Sequence, residues 1–175
     1  MNYIYTTLED YITKLYQELD IHVPNQLDMI DISVKLNIFL HFEDVNSAAV
    51  DRNGLYSMII DRRLSKQKQW QDFGHELCHI LLHAGNQLAM PRDFVKLQEA
   101  KANNFALHFC VPTFMLLNIP LPKTRNEFIY IISETFNVEY NFAMRRLEHF
   151  EKQLFGMKFF KELYPVKDKV RIKQA

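Results

Sequence analysis

The stretch Gln71-Asp72-Phe73-Gly74-His75-Glu76-Leu77-Cys78-His79-Ile80-Leu81-Leu82-His83 decides how this chain is read. It has the apolar spacing of a helix and contains His75-Glu76-x-x-His79. Residues four apart on a helix share one face and lie about 6 Å apart along the axis, so both imidazoles can reach one metal ion. Glu76 sits about 100° round the helix from His75 and about 60° from His79. It need not ligate from there; it stands beside the metal, able to take a proton from water. Trp70, Phe73, Leu77, Ile80 and Leu81 gather on one side, away from the bisector of the two histidines. A histidine that served only the core would point into that apolar stripe, and these two do not. The pattern implies a zinc site of hydrolytic type.

Two histidines do not make a tight zinc site, because catalytic zinc usually takes three protein ligands and a water. The candidates for the third are Cys78, His83, Glu99, His108 and Cys110. His83 continues the series of four, but it lies about 12 Å along the helix from His75, too far to share one ion. It suits the exposed carbonyls of the helix C-terminus instead. Cys78 points towards the core stripe and reads as a buried thiol. Glu99 falls on the next helix, 20 residues after His79, with room for a turn and an antiparallel return. Ala100, Ala102 and Ala106 would let that helix approach closely, and Asn103, four residues after Glu99, is placed to hydrogen-bond a histidine ring. His108 lies about 180° round the same helix from Glu99. Alone, Glu99 would read as a solvated carboxylate. Beside two histidines short of a ligand, it is the preferred third.

Outward from this centre, Ile38-Phe39-Leu40-His41-Phe42 and Leu55-Tyr56-Ser57-Met58-Ile59-Ile60 read as strands, with a turn at Asp51-Arg52-Asn53-Gly54. His41 has no partner at ligand spacing and reads as a strand histidine. The sheet is expected to be small and antiparallel, packed on the metal-binding helix, with 55–60 as an edge open to an extended peptide. Helices are expected over 7–19, with Thr7 as N-cap, and over 27–36, closed by Asn37. Ser65 caps the metal helix, and Ala84-Gly85-Asn86 stops it. The next helix starts at Pro91-Arg92-Asp93 and runs to Cys110, with others over 125–136 and 139–153. The fold class is α+β and mostly helical. A single domain is expected over 1–155, with N-terminal helices in 7–36, the sheet in 38–60, metal helices in 65–110 and C-terminal helices in 125–153. A basic tail follows over 156–175.

The 175 residues are 48% hydrophobic and 24% charged, enough for one ordinary core. A formal net charge of +0 removes the electrostatic footprint of a nucleic-acid binder. The basic run Lys167-Asp168-Lys169-Val170-Arg171-Ile172-Lys173 therefore reads as a solvated end, with no direct nucleic-acid contact expected. Cys78 and Cys110 read as reduced, buried thiols. The N-terminus lacks the basic-then-apolar pattern of a leader, and no window approaches 18 apolar residues. The expectation is a cytoplasmic protein without a membrane partner.

With these residues in view, the chain resembles the ImmA/IrrE family of zinc metallopeptidases. The resemblance rests on His75-Glu76-Leu77-Cys78-His79-Ile80-Leu81-Leu82-His83, Glu99-Ala100-Lys101-Ala102-Asn103-Asn104-Phe105-Ala106 and Val111-Pro112. Gly54-Leu55-Tyr56 upstream and Arg145-Arg146-Leu147 downstream extend it to about residues 25–150. It implies a zincin-like fold and a gluzincin-like site, with zinc on His75, His79 and Glu99 and with Glu76 as general base. It also implies an endopeptidase that cuts a helix-turn-helix, DNA-binding repressor, the anti-repressor of a bacterial mobile element, prophage or stress regulon. Lys101 stands where the family often has a second acid, Glu139 where it has a serine cap, and Cys78 where it has a small residue. These departures bear on substrate fit, since none is an inferred ligand. Tyr56, Tyr130, Arg145 and Arg146 are the candidates for stabilising the oxyanion of a tetrahedral intermediate, and the sequence does not choose between them.

Two other classes compete. A non-catalytic zinc-stabilised module would bind a regulator by surface contact alone; closed structural sites typically take four ligands, often thiolates, so Cys78 or Cys110 on the metal would favour it. A DNA-binding regulator would rest on the C-terminal helices and the basic tail, against the net neutrality of the chain.

Overall fold

A computed structural model describes residues 3–52, 54–82 and 91–163. The elements run α1 (Thr7–Glu18), α2 (Met29–Lys35), β1 (Ile38–Glu43), β2 (Ala48–Arg52), β3 (Leu55–Asp61), α3 (Lys66–Leu82), α4 (Arg92–Cys110), α5 (Thr113–Leu116), α6 (Arg125–Phe136) and α7 (Tyr140–Leu163). The fold is α+β and mostly helical, with one small sheet. No helix among the described residues is long and apolar enough to cross a membrane.

The helix starts follow their caps. Thr6, rather than Thr7, caps α1: its hydroxyl accepts the Glu9 N–H, and the Glu9 carboxylate accepts the Thr6 N–H in return. Asp28 accepts the N–H groups of Ile30 and Asp31, so α2 begins at Met29, and residues 24–26 form a separate 3-10 turn. The expected helix over 27–36 is therefore shorter at both ends. Asn37 closes it at φ 55°. Ser65 accepts the Lys68 N–H at the start of α3. The final helix continues past 153 to Leu163, into the stretch read as tail. The expected roles of His83, of the stop at 84–86 and of the basic run at 167–173 lie outside the described residues.

The sheet is mixed, not antiparallel. Its order is β1-β3-β2, with β1 parallel to β3 and β2 antiparallel to it. The turn at Asp51-Gly54 does make a hairpin, Gly54 taking φ 86° and giving its N–H to Asp51 Oδ1. The hairpin lays β3 between its partners, so β1 and β3 run the same way. Apolar content explains the placement. Met58 and Ile60 of β3 are fully buried, whereas β2 carries alanines and charged residues suited to an edge. Residues 55–60 are thus the centre of the sheet, and the open edge beside the site is β2.

Helix α3 packs along α4 and touches β2 and β3. Its buried side carries Trp70, Phe73 and Leu77, as its periodicity requires. Trp70 and Phe73 stack on each other and against Phe109 of α4, and Phe109 in turn stacks on Tyr16 of α1. Burying each such side chain contributes about 1.5–3 kcal/mol. The α3–α4 contact is close at Gly74, where an added Cβ would lie 2.8 Å from Cys110 Sγ and 3.2 Å from Phe109. Gly74→Ala is therefore expected to destabilise the fold by about 1–3 kcal/mol through overpacking. Chemical denaturation checks this; an unchanged midpoint would mean that α3 and α4 separate freely.

Candidate metal centre

The geometry of α3 presents His75 and His79 on one side, their ring centroids 5.0 Å apart. Helix α4 returns antiparallel to α3, since Cys110 reaches the Trp70 carbonyl while Glu99 reaches the histidines. Glu99 meets both rings, Oε2 lying 3.1 Å from His75 Nε2 and Oε1 3.4 Å from His79 Nε2. The two Nε2 atoms are 3.2 Å apart. Among the described residues this is the one group of three or more such side chains that could hold a metal ion.

The donor set fits zinc. Ligand atoms at about 2.0–2.1 Å from zinc with tetrahedral angles lie about 3.3–3.4 Å from one another. The observed separations of 3.1, 3.2 and 3.4 Å are close to that edge length. The set is two nitrogens and a carboxylate, with no sulfur. Cys78 is buried in the core, and that burial pushes its thiol up to about 12. Cys110 is a buried free thiol that donates to the Trp70 carbonyl. Neither supplies the thiolate that a closed structural site favours.

Glu76 lies beside the three, partly buried, with Oε2 accepting the Ala49 N–H of β2 at 2.9 Å. Burial raises its carboxyl above the usual carboxylate value, against the lowering effects of His75 and of the Ala49 N–H. His75, Glu76 and Glu99 line a cleft together with Asn46, Ser47, Asp61, Leu64, Lys68, Asp72 and Asn103.

The other expected residues lie differently. Asn103 lines the cleft, but its side-chain amide donates to the Glu99 carbonyl rather than to a histidine ring. Tyr56 is packed against the core from β3. Tyr130 and Arg145 are exposed, on α6 and α7, and neither lines the cleft. Arg146 is fully buried elsewhere. Its Nε donates to the Val111 carbonyl and its Nη2 to Thr113 Oγ1, and Thr113 in turn donates to Glu9. His108 sits in that same buried cluster, where burial and then Arg146 press its imidazole down to about 3. His108 is therefore neutral and remote from the metal residues, as its helical position implied. What the sequence reading missed is the group Ser47, Lys68 and Asp72. Asp72 precedes His75 by three and Glu76 by four, so helical spacing alone put it on the cleft side.

A helix-borne pair of histidines, a carboxylate from the next helix and an adjoining short sheet form a candidate metal site in a domain of the α+β class. The chain belongs to the Peptidase M78 family, whose IrrE N-terminal-like domain matches residues 34–148. Two proteins of Bacillus subtilis (strain 168) are similar over most of its length. The phage-like element PBSX protein XkdA is 46% identical over 156 residues, which cover 89% of this chain and 79% of XkdA. The uncharacterized protein YqaB is 38% identical over 154 residues, covering 88% of this chain and 90% of YqaB.

Proposed function

We propose that this protein is a zinc-dependent endopeptidase acting on a DNA-binding repressor of a bacterial mobile element. The observation that carries the chemistry is the approach of His75, His79 and Glu99 to within tetrahedral edge distances, with Glu76 beside them. The biological context is supported by the family and by a relative whose name places it in a phage-like element.

His75, His79 and Glu99 would hold the ion. Zinc held there would supply Lewis acidity to polarise a carbonyl and acidify water. Glu76 takes the water proton on Oε1, its Oε2 being held by Ala49, and returns it to the leaving amide nitrogen. The outer edge of β2 offers backbone groups to an extended peptide, which keeps the scissile bond straight across the cleft.

The test is a comparison of new protein N-termini in bacterial cells expressing the wild type or Glu99→Ala. Removal of a ligand is expected to weaken zinc binding by more than the about 10–100-fold that loss of an outer partner costs. It is also expected to erase every wild-type-specific cut. Cuts within a helix-turn-helix repressor, present only with the wild type, name the substrate. Identical N-termini in both, with zinc bound to the wild type, would replace the peptidase by a zinc-stabilised module that binds a regulator.

A further inference from the structure

Among the described residues, two hydrogen bonds join β2 and the turn before it to α3. Ser47 Oγ donates to Asp72 Oδ2 at 2.9 Å, and the Ala49 N–H donates to Glu76 Oε2 at 2.9 Å. Asp72 and Glu76 are one helical turn apart on α3, and Ser47 and Ala49 are two residues apart in the chain, so the bonds form successive rungs. Ser47 Oγ also accepts the N–H of Asp61, the last residue of β3, at 3.1 Å. The remaining oxygen of Asp72 holds Lys68 Nζ at 2.8 Å, one turn back on the same helix. Both carboxylate oxygens of Asp72 are therefore engaged, one by its own helix and one by the sheet.

We propose that Asp72 and Ser47 are the positioning residues of Glu76. The Ser47–Asp72 bond pins the start of β2 to α3, and that pinning presents the Ala49 N–H to the Glu76 carboxylate. A glutamate on a helix has three free side-chain torsions, and a carboxylate that turns away from the reacting water loses the benefit of orientation. Lys68 fixes Asp72 from the other side, so the carboxylate meets Ser47 in one orientation. The same latch ties the β2 edge to α3 beside Glu76. One bond thus aligns the proton acceptor and the strand on which the peptide would lie. The inference rests on the reading of Glu76 as general base, and it gives Ser47 and Asp72, which line the cleft, a role exerted through Glu76.

The experiment pairs amide hydrogen exchange at Ala49 with steady-state kinetics, in full-length Ser47→Ala, Asp72→Ala and Ser47→Thr proteins. With Ser47→Ala or Asp72→Ala, Ala49 exchange is expected to accelerate at least tenfold while amides in the core of α4 keep their protection. The kcat is expected to fall by about 10–100-fold with KM within twofold and zinc content unchanged. Ser47→Thr, which keeps the hydroxyl, restores both. Unchanged Ala49 exchange in Ser47→Ala would overturn the latch, and so would fast exchange with an unaltered kcat. If the wild type cuts nothing, the peptidase reading fails by itself, and Ala49 exchange, which needs no substrate, still decides whether the latch exists.

Discussion

Glu76→Gln is expected to slow peptide hydrolysis by about 10²–10⁴-fold while leaving zinc bound, the range spanned by loss of a general base. The amide is nearly isosteric and its oxygen can still accept the Ala49 N–H, so the cleft keeps its shape. What is lost is the capacity to take a proton. Zinc content is expected to be unaffected because the candidate ligand side chains are His75, His79 and Glu99. The wild-type pH profile carries the same assignment. Burial raises the Glu76 carboxyl, and the base must be ionised to act. Activity should therefore fall as pH drops far enough for Glu76 to take up its proton. Measured kcat above a tenth of wild type in the Gln variant would move the base elsewhere.

Arg146→Met is expected to cost about 3–5 kcal/mol of stability without touching the metal site, the usual penalty for stripping one partner from a buried ionic group. At about 2–4 °C per kcal/mol for a chain of this size, the melting temperature should fall by roughly 6–20 °C. Arg146 is fully buried, and burial lowers its guanidinium to about 10. Thr113 relays it to Glu9, whose carboxylate also accepts from Tyr3 and Thr6. Burial alone would raise Glu9, but the hydrogen bonds from Thr113, Thr6 and Tyr3 outweigh it and keep the carboxylate ionised. Without the guanidinium that charge is buried and uncompensated. Adding Glu9→Gln to Arg146→Met should recover part of the loss. Calorimetry of the two variants checks both statements; a loss below about 1 kcal/mol in the single variant would mean that Arg146 contributes no more than an exposed ion pair does.

Helix α3 and its histidine face were legible because one periodicity separates Trp70, Phe73 and Leu77 from His75 and His79. Glu99 was legible for a related reason, since a two-histidine pair leaves a coordination number to fill. Strand β2 was not legible. Ala48-Ala49-Val50-Asp51-Arg52 has weak strand preference, and what makes it a strand is pairing with the apolar β3, which no local window contains. The parallel β1–β3 pairing was hidden for the same reason, because register and order depend on which strand has most to bury. Arg146 was misread as a free donor because a charged helix residue defaults to solvent, and only Glu9 and Thr113, both more than thirty positions away, reveal its burial. Asn103 was given the correct face but the wrong partner. Its amide finds the carbonyl one turn back on its own helix before it finds a ring across the cleft.

The buried cluster around Glu9 also separates two lengths that are easily confused, the stretch recognisable as kin and the stretch that can be cut out. The family match begins at residue 34. Yet Tyr16 stacks on Phe109 and donates to its carbonyl, and Glu9 completes the polar circuit of Arg146. A fragment trimmed to the matched residues 34–148 would keep Phe109, Thr113 and Arg146 but discard the helix that covers and neutralises them. Such a fragment would begin with an open aromatic face and an unanswered cation at its centre. For this chain the portable unit is expected to be larger than the recognisable one, and grafting or trimming the candidate metal centre should require α1 to travel with it.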